Sequence, residues 1–335
     1  MNDTKCLIGD LIIMYRDYIK KIAVVSCMLF IPFVPFGDIT DSHLEKRSKE
    51  VYNTPLSDNE VSFQWLGTAG FKVQKADMIL LFDPYVTRVP LISLFIEPLK
   101  PNKKLIEQMF PRVDYIFVTD THFDHFMDVP DIALNTGAKV IGSVICAKLL
   151  RICKVPESQI IEVKSGDEIT LGNMRIKVAF AEHGLVLFHK PFYGDQVRDT
   201  LRPLLRVGDY VCKDTLSYHV SIDGFRFFVI SGLKFNDDEM VGVESDVVIS
   251  NVMTHTEGFV EKLLQATKPR ILFPSHYDNF FESYSSGVMT WPIMDFYTYC
   301  EKVKAFDPEI DIITLDFFQE YRVSINDASH VNNKQ

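Results

Sequence analysis

Tyr115-Ile116-Phe117-Val118-Thr119-Asp120-Thr121-His122-Phe123-Asp124-His125 is an apolar strand that runs directly into two carboxylates and two imidazoles. Imidazole and carboxylate hold a divalent cation while leaving a position for water, which is the usual design of a hydrolytic centre. The strand predicts where these groups sit: at one edge of a sheet, in the loop that follows. Further ligands are then sought at the ends of other strands.

Two histidines satisfy that condition. His183 follows the strand-like run Met174 to Ala181, and His276 follows Arg270 to Phe273 through Pro274-Ser275. Loops at one edge of packed sheets converge in space, so both can meet the opening motif. His189, His219 and His255 are further candidates; His219 lies mid-strand and reads as packing, whereas His255 follows the strand Val247 to Ser250.

Composition limits the alternatives. The chain has 335 residues, of which 47% are hydrophobic and 24% charged, the balance of a globular protein with a substantial core. A formal charge of -10 argues against a broad nucleic-acid-binding surface, because phosphate neutralisation needs concentrated Lys and Arg. The six cysteines, Cys6, Cys27, Cys146, Cys153, Cys212 and Cys300, include no Cys-x-x-Cys pair and read as core or incidental thiols.

Four segments follow from patterning along the chain. Residues 1–37 contain the uncharged apolar run Ile22 to Phe36, preceded by Arg16, Lys20 and Lys21, and read as a signal or membrane anchor, with a cytoplasmic protein carrying a buried helix as the alternative. Residues 38–59 are polar and read as a linker, 60–326 as the folded domain and 327–335 as a polar tail. Within the domain, Leu216 to Ile222 and Phe225 to Ile230 flank Asp223-Gly224, a strong signal for a tight hairpin. Helical patterns at Val144 to Ile152, Gly258 to Thr267 and Pro292 to Val303 alternate with strands. Two such cycles predict an α/β protein with two sheets face to face and helices outside, a four-layer αββα sandwich.

With those residues in place, the chain resembles the metallo-β-lactamase-fold, metal-dependent hydrolase superfamily over about residues 60 to 320. The resemblance rests on Trp65-Leu66-Gly67 with Gly70, Leu81-Phe82-Asp83-Pro84, the Asp-x-His-x-Asp-His run, Glu182-His183-Gly184, Ile230-Ser231-Gly232 and Phe273-Pro274-Ser275-His276-Tyr277-Asp278. The wording around Asp83-Pro84 and His276-Tyr277-Asp278 is similar to the branch of lactonases and phospholipase-D-like enzymes acting on N-acyl lipids. Two positions depart from the pattern: Asp120 stands where the family has its first His, and Ser231 where a carboxylate bridges two metals.

The resemblance implies one metal position at Asp120, His122 and His183 and another at Asp124, His125 and His276. Asp83, Ser231 and Asp278 would stand behind the ligands, the two aspartates orienting imidazoles. Asp124 would position the attacking water, and His255 is a candidate proton donor to the leaving group. One or two divalent ions are implied, zinc first, with manganese or iron allowed by the extra carboxylate. The expected activity is hydrolysis of a small ester, lactone or phosphodiester. Alternatives are a phospholipase-D-like phosphodiesterase held at a membrane by its N-terminus, and a non-catalytic relative that keeps the fold. Gly184 to Thr215 is long for a connection and reads either as a substrate cover or as an amphipathic helix on the core.

Overall fold

A computed structural model describes residues 34–35, 46–47, 50–96, 98–182, 197, 203, 205–213, 215–252, 256–290 and 296–325. Two short strands open the chain, β1 (Val34–Pro35) and β2 (Lys46–Arg47), followed by β3 (Glu60–Gly67), β4 (Gly70–Lys75) and β5 (Met78–Phe82). The helices α1 (Ser93–Ile96) and α2 (Lys103–Met109) precede the motif strand β6 (Tyr115–Phe117), and α3 (Phe123–Phe126) and α4 (Val129–Thr136) follow it. Next come β7 (Lys139–Gly142), α5 (Val144–Ile152), β8 (Ile160–Glu162), β9 (Glu168–Leu171) and β10 (Met174–Glu182). The hairpin β11 (Thr215–Ile222) and β12 (Phe225–Ile230) leads to β13 (Lys234–Phe235), β14 (Val247–Asn251), α6 (Phe259–Thr267) and β15 (Ile271–Ser275). The chain closes with β16 (Met289–Thr290), α7 (Phe296–Phe306), β17 (Asp311–Thr314) and β18 (Glu320–Ser324).

Among the described residues, the first large sheet has the order β18-β3-β4-β5-β6-β7-β8 and the second β13-β10-β11-β12-β14-β15-β17-β2, with β9 alongside β10. Side chains alternate between two interiors. Val61, Phe63, Leu80, Phe82, Phe117 and Ile141 point to the second sheet, whereas Leu66, Leu81, Ile116, Val118 and Val140 pack under α2, α4 and α5. That two-residue period is what a sheet with both faces buried requires. On the far side, Leu263 and Leu264 of α6 and Tyr299 and Val303 of α7 are buried against the second sheet. The result is the expected helix, sheet, sheet, helix layering.

Asp223 and Gly224 adopt φ of 51° and 86°, the paired positive angles of a tight hairpin turn. Residues 50–59, the end of the linker segment, are fastened to β18. Arg322 donates to the carbonyls of Thr54 at 2.8 Å and Pro55 at 3.1 Å, and its guanidinium lies 4.5 Å from the Tyr52 ring centroid. β2 extends the second sheet by pairing in parallel with β17, and β1 pairs with β16. No helix among the described residues is long and apolar enough to cross a membrane.

In the first sheet β5, β6 and β7 run parallel, and in the second β12, β14 and β15 do. Residues just past the carboxyl ends of such strands collect in one crevice. Asp83 follows β5, Thr119 and Asp120 follow β6, Ser231 follows β12 and His276 follows β15. A hydrogen bond from Ser231 Oγ to Asp83 Oδ2 at 3.4 Å joins the two sheets at that edge.

Candidate metal centre

The motif folds as its alternation dictates. His122 is the extended residue that caps α3, and the Phe126 N–H bonds back to its carbonyl at 2.9 Å. Phe123, Phe126 and Met127 sink into the apolar layer under the helices, Phe123 against Tyr85, Phe280 and Phe281. This anchors the short helix and turns Asp124 and His125 towards the crevice. Asp120, His122, Asp124, His125, His276 and Asp83 are all buried.

Two groups of donors form. Asp124, His125 and His276 each offer an atom within 4.8 Å of the others; His276 Nε2 lies 3.1 Å from Asp124 Oδ2, and His125 Nε2 lies 3.7 Å from the same oxygen. Asp120, His122 and Cys212 form the second group under the same limit, with His122 Nδ1 at 3.1 Å from Asp120 Oδ1. The Asp120 oxygen also accepts the His122 N–H at 2.7 Å.

Asp83 sits behind the first group. Its Oδ2 faces His125 Nδ1 at 2.9 Å and takes the Thr119 hydroxyl, while Oδ1 accepts the Thr119 N–H at 2.7 Å. With a proton on Nδ1, the lone pair of His125 is left on Nε2, the atom nearer Asp124. Ser231 also reaches Asp83, so its hydroxyl supports that carboxylate.

Asp278 behaves differently from the expectation that it would orient an imidazole. Its Oδ1 accepts the Thr68 N–H at 2.8 Å and its Oδ2 pairs with Arg88 Nη2 at 2.7 Å. Because the His276 N–H bonds to the Thr68 carbonyl at 2.8 Å, Asp278 fixes His276 through the backbone. Thr68, Asp83, Arg88 and His276 all have positive φ, between 42° and 59°. Such angles cost about 1–2 kcal/mol each in a side-chain-bearing residue and persist where surrounding bonds over-determine them.

The electrostatics favour a cation. Burial opposes charge on His125, yet Asp83 first, then Asp124 and Asp120, push its imidazole up to about 10. Burial likewise opposes charge on Asp124, but His125, His276 and His122 outweigh it and hold the carboxyl below its ordinary value. In effect the proton on His125 answers the carboxylates around it, where a metal could do the same. His276 Nδ1 is buried with no hydrogen-bond partner among the described residues. Nitrogen, oxygen and sulfur donors in this spacing fit a divalent transition metal.

His183 and His255 lie outside the described residues, as does most of the 184–215 connection. Two contributors escaped sequence reading, Cys212 and Arg88. A signal for the first was available, since replacing the family's first His by Asp120 leaves room for another donor near a strand start. Arg88 had no such signal, because its partner Asp278 is 190 residues away.

Comparison with known proteins gives the family and the fold. A family described as "Beta-lactamase superfamily domain" matches residues 79–277. A UPF0173 metal-dependent hydrolase of Nanoarchaeum equitans is 24% identical over 78% of this chain and 99% of its own length. A second UPF0173 metal-dependent hydrolase, of Pyrobaculum calidifontis, is 24% identical over 66% of this chain and 85% of its own. Among solved structures, a metallo hydrolase of the hyperthermophilic archaeon Ignicoccus hospitalis superposes with a TM-score of 0.53 at 17% identity, covering 79% of this chain and 99% of that one. An isothiocyanate hydrolase from Delia radicum gut bacteria gives 0.50 at 13% identity, covering 78% and 99%. These two structures bear on the fold alone.

Proposed function

The chain belongs to the beta-lactamase superfamily domain family, and from that premise we propose that it is a metal-dependent hydrolase of a small ester, lactone or phosphodiester. The observation that carries the reading is the Asp124, His125 and His276 group, buried and assembled from segments 152 residues apart. Random burial of three ionisable side chains with one ring nitrogen unsatisfied is costly, so a ligand that answers them is the physical reason to keep the set.

Asp124, His125 and His276 would hold one divalent ion, and Asp120 with His122 would contribute to a second position. Such an ion, zinc in the first place, supplies Lewis-acid polarisation of the attacked group and acidifies water near neutral pH. The chain's own residues do the rest. Asp83 holds the proton on His125 Nδ1 and so presents Nε2 inward. Asp124, fixed by His276, offers a carboxylate to orient the attacking water and accept its proton. Asp278 and Arg88 keep the His276 turn in place. Ser231 brings no bridging charge, so a second ion would depend on Asp120 and its neighbours.

Within the family, the sequence around Asp83-Pro84 and His276-Tyr277-Asp278 supports the branch of lactonases and N-acyl phospholipid hydrolases. For location, the apolar run at residues 22–36 supports export or membrane attachment, tested by fractionating cells that make the full chain or one lacking residues 1–37. Function is tested by elemental analysis of the wild type, His122→Ala and His276→Ala beside a panel of lactones, phosphodiesters and β-lactams. Both variants should lose metal and turnover together. Full turnover and full metal content in either would remove that residue from the centre.

A further inference from the structure

Cys212 is the donor that the family pattern does not supply. It lies three residues before β11, and two bonds sew its segment to the motif: the Leu216 N–H donates to the Thr119 carbonyl at 2.9 Å, and the Thr121 hydroxyl donates to the Val211 carbonyl. These attachments flank both sides of Asp120 and both sides of Cys212. The thiol is therefore registered against Asp120 and His122 by one backbone bond and one side-chain bond rather than by loop position alone. Tyr210, buried against Phe126, fixes the same segment from the helix side.

The three donor atoms lie within 4.8 Å of one another. An ion bonded to each at about 2.0–2.3 Å can span such a set with small side-chain adjustment. Asp120, in place of the usual imidazole, removes a borderline donor from this position and adds a hard one. A thiolate restores soft character, and the set of one oxygen, one nitrogen and one sulfur favours zinc or cobalt over manganese or magnesium.

We propose that Cys212 is a metal ligand of the second position, together with Asp120 and His122, and that it biases that position towards zinc. The inference rests on the metal-dependent reading above and adds a ligand to it. On binding, the S–H proton leaves to solvent as the sulfur–metal bond forms, so loading releases one proton from this residue. The other described cysteines stand outside both donor groups, and Cys146 and Cys300 are fully buried.

The test uses the full-length chain loaded with cobalt(II), read by its near-ultraviolet sulfur-to-cobalt charge-transfer absorption and by mass spectrometry of alkylated peptides. The wild type should show the band, and metal should protect the Cys212 peptide from iodoacetamide. Cys212→Ser should lose the band while keeping the metal held by Asp124, His125 and His276. Its zinc affinity at the second position should fall about tenfold or more, since even partners behind a ligand are worth about 10–100-fold. Its manganese affinity should change less. A band that survives in Cys212→Ser, or a Cys212 alkylated equally with and without metal, overturns the ligand assignment and leaves the hydrolase reading standing. A wild type that takes up no zinc, cobalt or manganese overturns both. Circular dichroism of the serine variant, and His122→Ala as a second variant that should also lose the band, separate a lost ligand from a lost fold.

Discussion

Asp83 Oδ2 is 2.9 Å from His125 Nδ1, and the same oxygen receives the Thr119 and Ser231 hydroxyls, so one atom ties the motif to both sheets. Asp83→Asn would place an amide N–H against these donors or surrender one of them. Metal affinity should fall about 10–100-fold, with the fold retained, in competition titrations against a chromogenic chelator. Unchanged affinity would show that His125 needs no help in choosing its tautomer.

The Arg88–Asp278 pair is almost wholly buried, with Arg88 also donating to the Asn279 and Glu282 carbonyls and resting against both the Tyr284 and Phe317 rings. Removing one partner leaves a buried charge alone, so Arg88→Met should destabilise the protein by about 3–5 kcal/mol in urea unfolding. Arg88→Met combined with Asp278→Leu should be less than additive. A simple sum of the two single effects would mean that the residues act independently.

Phe227 is buried between the sheets, edge-on to Phe63 at 5.8 Å and to Phe82 at 5.7 Å between ring centroids. Phe227→Ala should cost about 3–5 kcal/mol, from lost burial and the cavity left behind. A loss below about 1 kcal/mol would indicate that the inter-sheet layer collapses freely around the gap.

His219 gives a pH prediction away from the metal centre. Burial first, then Arg226 and Lys177, hold its imidazole below the ordinary value, against a bond from Nε2 to the Glu244 carbonyl at 3.2 Å. The unfolded chain therefore binds this proton more readily than the native one. Its contribution is full above about pH 6.5 and is lost as pH falls towards the depressed native value. His219→Gln should flatten the acid side of a stability profile taken from about pH 8 to about pH 5; an unchanged slope would clear His219 of any part in it.

The layering was legible because the longer sheet strands carry their own evidence. Phe82 and Leu81, or Phe117 and Ile116, alternate between two interiors, and Asp223-Gly224 marks its hairpin without reference to anything distant. The motif at Asp120 to His125 was legible for the same reason. Contacts made across the chain were not. Nothing near Cys212 announces that Thr119 and Thr121 bind its flanks, and Asp278 reads as a partner for the adjacent His276 until Thr68 and Arg88 are seen to occupy it. β9 and β18 were also missed: Glu168-Ile169-Thr170-Leu171 and Glu320 to Ser324 are short and half-polar, and each becomes a strand by pairing with a longer neighbour.

Lys46–Arg47 pairs with Ile313–Thr314, so the stretch ahead of the domain shields a row of amides and carbonyls that would otherwise stand open on β17. A chain trimmed to begin at residue 60 would uncover that border and also release the Arg322 guanidinium from Tyr52 and Thr54. Bare borders of this kind recruit strands from other molecules. Trimming for crystallisation or expression should accordingly stop short of residue 46, or accept a product inclined to stick to itself.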